Sequence, residues 1–152
     1  MTTLYVDNIA PNLQSKISAP NLEPLTGSVI QVKYMDYNTE TTMSQGSWVD
    51  IGLSLTITPS STSSKILVHY YPQFRIQASS NDTGIGFRVL RGSTALDQDA
   101  TTYQQYTYAG SGANSEWRGS VPLMYLDSPS TTSATTYKVQ GNAYSGAVRC
   151  QS

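Results

Sequence analysis

"TPSSTSSKILVHYYPQFRIQ", residues 58–77, sets a run of hydroxyl side chains directly before a strict alternation. From Lys65 onward one phase holds Ile66, Val68, Tyr70, Pro72, Phe74 and Ile76. The other holds Lys65, Leu67, His69, Tyr71, Gln73, Arg75 and Gln77. Side chains of a strand alternate between faces, so the spacing predicts one strand with the first set in a core and the second toward water or a partner. Upstream, Leu53, Leu55 and Ile57 alternate with Ser54, Thr56 and Thr58. Between the two runs, Pro59 has no N–H for a ladder, and Ser60 to Ser64 are able to bond their own backbone. The hydroxyl cluster therefore reads as a connection between antiparallel strands, its polarity being turn chemistry. "SPSTTSATTYKVQ", residues 128–140, repeats the arrangement ahead of Tyr137 and Val139.

The composition supports a β protein. The chain has 152 residues, enough for one domain and a short appendage, and Tyr is abundant at 11 against 2 Phe. Charged residues make up 12% and the formal net charge is -1, so no long-range field draws the chain to nucleic acid or an anionic membrane. One cysteine, Cys150, excludes an intrachain disulfide. No apolar run reaches membrane-spanning length, and "MTTLYVDNIAPN" has neither the basic start nor the apolar centre of a secretory signal. These features predict synthesis in a cytoplasm, with release by lysis if the product leaves it.

Residues 1–26 differ from the rest. "LYVDNI" has the length of one short strand, and Ala-Pro-Asn-Leu then occurs twice, beginning at Ala10 and Ala19. Pro11, Pro20 and Pro24 prevent a regular helix. Leu4, Val6, Ile9, Leu13, Ile17 and Leu22 are spaced apolar pegs. A loose leader and an extended arm that docks on another polypeptide both fit this pattern. From Gly27 to Ser152 the pattern is that of short strands. Ile30, Val32 and Tyr34 alternate, as do Ile85, Phe87 and Val89, then Val121, Leu123 and Tyr125. Turn clusters such as "ASSNDTG" and "GNAYSG" separate the runs, which predicts a sandwich or barrel without helices. Ile66, Val68, Phe74, Ile76, Phe87, Val89, Leu123 and Val139 should be buried, and Lys65, Gln73 and Arg88 should not.

Four blocks, "GSVIQV" at 27–32, "WVDIGLSLTITPSSTSSKILV" at 48–68, "GFRVLRGSTAL" at 86–96 and "LDSPSTTSATTYKVQ" at 126–140, resemble the tail-fibre and related virion proteins of bacteriophages, those of marine and cyanobacterial phages above all. "TLYVDNI" is similar to the start of such fibres. The resemblance implies an all-β, jelly-roll-like antiparallel sandwich, commonly trimeric, on a virion appendage. It also implies partners among the capsid, neck or tail components. Relatives extend past the position of Ser152 with one more hydrophobic strand, so the resemblance implies a piece of a longer chain or a sandwich completed differently.

Catalytic chemistry finds little support in the residues. A nucleophile–base pair needs a histidine or its equivalent near a Ser or Cys, and His69, the single histidine, lies on the polar phase of its run. Cys150 shares the apolar phase with Val148 and reads as a small core residue. Asp97 and Asp99 lack the further oxygens a calcium site needs and read as a solvated turn. No glycine loop cradles phosphate, and no cofactor or metal is expected. "TTYQQYTYAG", residues 101–110, presents Tyr103, Gln104, Gln105, Tyr106 and Tyr108 as ring faces beside amides. Such a stretch is a wet Tyr-rich strand or a contact surface for glycan or protein. The expected function is a non-enzymatic virion structural protein, made in the host cytoplasm and held by its arm. Recognition of host surface glycan is the first alternative. Polysaccharide cleavage by paired carboxylates, a second, is disfavoured by the scarcity of acids.

Overall fold

The structure, a computed structural model, describes residues 28–78, 82–96, 103–108, 115–145 and 147–151. Contacts divide the chain into two units, before and after the Val32–Lys33 bond, and the second carries every described strand. The described residues form eleven strands: β1 (Thr41–Met43), β2 (Val49–Ile57), β3 (Ile66–Tyr70), β4 (Gln73–Ala78), β5 (Asp82–Arg91), β6 (Thr94–Ala95), β7 (Gln105–Tyr108), β8 (Ser115–Ser120), β9 (Leu123–Asp127), β10 (Thr135–Ala143) and β11 (Ala147–Gln151). No helix occurs among the described residues.

Pairing between these strands is antiparallel, and its main series is nested. β1 pairs with β11, β2 with β10, β3 and β4 with β9 and β8, and β5 with β6 and β7. Folding this ladder over itself brings β11 onto β4 and β10 onto β5 and gives the sheets β1-β11-β4-β8 and β2-β10-β5-β6, with β7 on β5 as well, while β3 and β9 form a two-stranded sheet. Nested pairs distributed in this order form a jelly-roll-like sandwich.

The stretch 65–77 is correct in phase but is not one strand. Pro72, lacking an N–H, ends β3 before β4 begins, and Pro122 divides β8 from β9 at the matching place. The register nevertheless runs straight through: Ile66 faces Asp127, Tyr70 faces Leu123, Gln73 faces Ser120 and Ala78 faces Ser115. The Val121 N–H donates to the Pro72 carbonyl at 3.2 Å, carrying the pairing across the corner. The two prolines thus bend one long hairpin without shifting it.

The hydroxyl clusters lie side by side. Ile57 and Thr135 are register partners at one end of β2 and β10, and Ile66 and Asp127 are partners at one end of β3 and β9. A nested ladder that changes sheets must do so on both of its strands together, so one corner calls for a second like it. Lys65 Nζ donates to Ser128 Oγ at 2.6 Å and joins them. Inside the first cluster, Ser61 N–H donates to Ser64 Oγ and Ser63 N–H to Ser61 Oγ, both at 3.2 Å. In the second, Ser133 N–H donates to Thr131 Oγ1 at 3.0 Å.

The core lies between the sheets. Phe74, Ile76, Phe87, Val89 and Val139 are buried as expected, with Met43, Ile51, Ile85 and Tyr137. Ile66, Val68 and Leu123 are partly buried against them. Lys65 and Gln73 are exposed, and Arg88 is half-buried. β2 carries two extra residues relative to β10, because Ser54 faces Lys138 while Asp50 faces Gln140. An even number preserves the phase, which keeps Ile51 inward and Asp50 outward. Gly52 occupies this bulge at φ 88°, a left-handed conformation, with the Tyr37 ring where a side chain would stand.

One buried polar network ties the layers. Arg91 Nη1 donates to both oxygens of Asp127 at 2.9 Å, and Tyr137 Oη donates to Asp127 Oδ2 at 2.6 Å. Burial, and then the hydrogen bond to Asp127, hold the Tyr137 hydroxyl well above the ordinary tyrosine range.

Two strand expectations differ from the fold. Ile30, Val32 and Tyr34 form no strand and are exposed, because no described strand pairs with that alternating segment. Conversely, "SEWRGS" forms β8, although it carries a single large apolar residue.

Candidate functional site

The outward positions of β5 are Gly84, Gly86 and Arg88, and the missing side chains make room for rings. Gly84 stands opposite Tyr106 of β7, and its carbonyl accepts the Tyr144 N–H at 2.9 Å. A Cβ on Gly84 would lie 3.0 Å from Tyr106 Cδ2 and 3.2 Å from Tyr103 Cβ. The rings therefore close over bare backbone. Tyr144 meets Tyr103 at 5.4 Å and Tyr106 at 5.6 Å between centroids, both edge to face. Tyr106 and Tyr144 remain exposed at the rim.

Gln104, although exposed, sets its side-chain amide against the β5 backbone. Its Oε1 accepts the Phe87 N–H at 2.7 Å and its Nε2 donates to the Phe87 carbonyl at 2.8 Å. The amide thus imitates a strand neighbour on the β5 edge. Gln105 faces the opposite side of β7 from Tyr106, since it pairs with the inward Ile85. Tyr108 pairs with Asp82 through the backbone.

Beside the rings runs a polar row across three strands. Arg88 donates through Nε and Nη2 to Gln140 Oε1 at 2.9 and 2.6 Å, with its guanidinium 4.3 Å from the Trp48 ring centroid. Gln140 Nε2 donates to Asp50 Oδ1 at 2.6 Å, and Lys138 Nζ to Asp50 Oδ2 at 2.9 Å. The Lys138 hydrogen bond holds the Asp50 carboxyl below its ordinary range. Positive and negative groups are matched along this row.

The expected residues come together only in part. Tyr103 and Tyr106 each meet Tyr144, which the "GNAYSG" turn concealed. Tyr103, Tyr106 and Tyr144 converge because β7 and the end of β10 flank β5, a neighbourhood that chain position does not reveal. Leu4, Val6, Ile9, Leu13, Ile17 and Leu22 lie outside the described residues, as do Asp97 and Asp99. His69 is exposed opposite Met124. Cys150 is buried, and burial pushes its thiol up to about 12. Among the described residues no three His, Cys, Asp or Glu side chains gather as metal ligands. No helix of the structure is long and apolar enough to cross a membrane. No protein-family model, curated protein or solved structure matches the chain.

A second outward surface is apolar. On the β3–β9 end of the long hairpin, Leu67 stands opposite Leu126, and His69 opposite Met124. Leu67 and Leu126 are each 61% exposed, Met124 70% and Tyr71 57%. Apolar side chains grouped this way on a sheet face commonly mark a contact between proteins.

Proposed function

We propose that this chain is a non-enzymatic structural protein of a phage virion, a fibre, decoration or appendage component that works as a homo-oligomer, most simply a trimer. The observation carrying this reading is the grouped exposure of Leu67, Met124, Leu126 and Tyr71 on one face of the hairpin. A second copy of the same chain suits that face, because apolar meets apolar and the formal net charge of only -1 leaves little repulsion between copies. The jelly-roll-like sandwich and the resemblance through four sequence blocks support the assignment to a virion. In this reading residues 1–26 attach the domain to the particle, with Leu4, Val6, Ile9, Leu13, Ile17 and Leu22 as pegs in a groove or as an added strand. The test is incorporation. Mass spectrometry of purified particles should find the full chain, while a chain lacking residues 1–26 should fold and be absent. A truncated chain that incorporates normally would overturn the role of the arm.

The ring cluster favours a second reading, recognition of host surface glycan. Tyr103, Tyr106 and Tyr144 present ring faces and edges over the Gly84 backbone, a surface suited to stacking on sugar rings. Tyr106→Ala should then reduce retention on host polysaccharide without changing the oligomer. Unchanged retention would reject the cluster as the glycan contact.

A further inference from the structure

Three of the arginines form a line on the outward face of the β1-β11-β4-β8 sheet. Arg149 of β11 stands opposite Arg75 of β4, and Arg75 stands opposite Arg118 of β8. Neighbouring strands are about 4.8 Å apart, so the line is only about 10 Å long. Like charges directly opposite one another destabilise a sheet. Two carboxylates reduce the repulsion from the ends of the line. Glu40 accepts from Arg149 Nη1 at 2.6 Å, and Glu116 accepts from Arg118 Nε at 2.6 Å, with Arg75 Nη1 3.9 Å from its other oxygen. The Arg118 guanidinium holds the Glu116 carboxyl below its ordinary range. Among the described residues one positive charge of this row is left over, and the Nε groups of Arg75 and Arg149 are buried without a hydrogen-bond partner. A buried unpaired N–H of a charged group is costly, and here two occur in adjacent strands of one row.

These arginines line an open cleft of about 410 Å³, with Tyr71, Gln73 and Ser120 on its wall and the Glu40 carboxylate at its Arg149 end. That volume lies within the roughly 300–1,000 Å³ of small-molecule clefts. Ser120 Oγ donates to Tyr71 Oη at 2.9 Å, which steadies a ring more than half exposed at the rim. A planar guanidinium row matches an oxyanion, and a ring beside an amide and a hydroxyl matches a sugar body. We propose that this cleft binds an acidic saccharide unit, its carboxylate held by Arg75 and Arg149 and its ring set against Tyr71. The site is separate from the tyrosine cluster, which belongs to the other sheet.

The experiment is a titration of the full chain, followed by NMR of the arginine Nε–H signals, with glucuronate, inorganic sulfate and glucose as probes at matched ionic strength. Glucuronate should shift the Arg75 and Arg149 signals and glucose should not. Sulfate should bind more weakly than glucuronate because it lacks the ring. Arg75→Gln should weaken glucuronate binding about tenfold or more, as expected for loss of a charge-assisted contact. Arg118→Gln, at a side chain 71% exposed, supplies a variant whose fold is not at risk and should weaken binding several-fold. Sulfate binding as tightly as glucuronate would overturn the saccharide assignment. Absence of any shift at tens of millimolar glucuronate, or an undiminished response in Arg75→Gln, would overturn the site.

Discussion

Each of the two larger sheets carries a row of polar side chains across three adjacent strands on its outward face, and the two rows follow opposite rules. Asp50, Gln140 and Arg88 alternate in character, and hydrogen bonds run from each to the next. Arg149, Arg75 and Arg118 repeat one charge, and two of their Nε groups are unpartnered. The apolar group of Leu67, Met124 and Leu126 continues the second face beyond the Pro72 corner. The first row is thus closed on itself, while the second row and the hairpin beside it keep both charge and apolar surface unspent. Folding alone explains the first row and leaves the second without a reason, which is why a second copy and an acidic saccharide are proposed as partners on that side.

The largest effect should come from the closed network between the layers. Asp127→Ala would strand Arg91 and Tyr137 and should cost about 3–5 kcal/mol, as removal of one partner from a buried pair does. Urea unfolding measures it, and a loss below about 1 kcal/mol would mean that the network is dispensable.

Alkaline pH should act next. The Cys150 thiol is pushed up to about 12 by burial, and Tyr137 is raised as well, so the folded state keeps protons that the unfolded chain releases. Raised folded values mean that this stability is fully present below the unfolded values and lost as pH rises. From about pH 9 the thiol alone should remove about 1.4 kcal/mol per pH unit. Unfolding free energies across pH 8–10.5 for the wild type and Cys150→Ala should diverge accordingly, and parallel curves would contradict the burial of the thiol.

The comparison of the rows is sharpest in a pair of substitutions. Arg88→Ala breaks hydrogen bonds and a ring contact and should cost about 1–2 kcal/mol. Arg75→Gln removes the middle of a like-charge line and, without ligand, should leave stability unchanged or raise it by up to about 0.5 kcal/mol. If both variants lose stability equally, the second row is structural after all.

Acid should have the smallest effect. Asp50 is held below its ordinary range by Lys138, so its contribution is present above the unfolded value of about 4 and lost as pH falls below it. The pair is largely exposed, and Asp50→Asn should shift stability at neutral pH by less than about 1 kcal/mol. A larger loss in thermal unfolding would show that this row is more tightly coupled than its exposure suggests.

Where burial follows a period of two, the chain discloses itself. The phases of residues 65–77, of Ile85, Phe87 and Val89, and of Tyr137 and Val139 are all legible, as is the turn chemistry of the hydroxyl clusters. β8 is not, because its inward positions are Trp117 and Gly119, and the Phe74 ring fills the space above Gly119. A strand that receives a side chain instead of supplying one shows no alternation. The segment Ile30–Tyr34 errs the other way, since alternation makes a strand only where a partner exists. The tyrosine cluster is half legible: Tyr103 and Tyr106 are neighbours in sequence, while Tyr144 arrives through register. The arginine row is wholly a product of register, its members standing 43 and 31 residues apart along the chain at 75, 118 and 149. No local pattern announces them.

The central claim is that the outward face of the long hairpin is a working contact surface. The mass of the full chain in solution, by sedimentation equilibrium at micromolar concentration, tests it most directly. The account predicts a species near three times 16.5 kDa, reduced toward the single-chain mass when Leu67 and Met124 are both replaced by Lys. A wild-type chain that sediments as a single 16.5 kDa species, or an oligomer untouched by that double substitution, would contradict it.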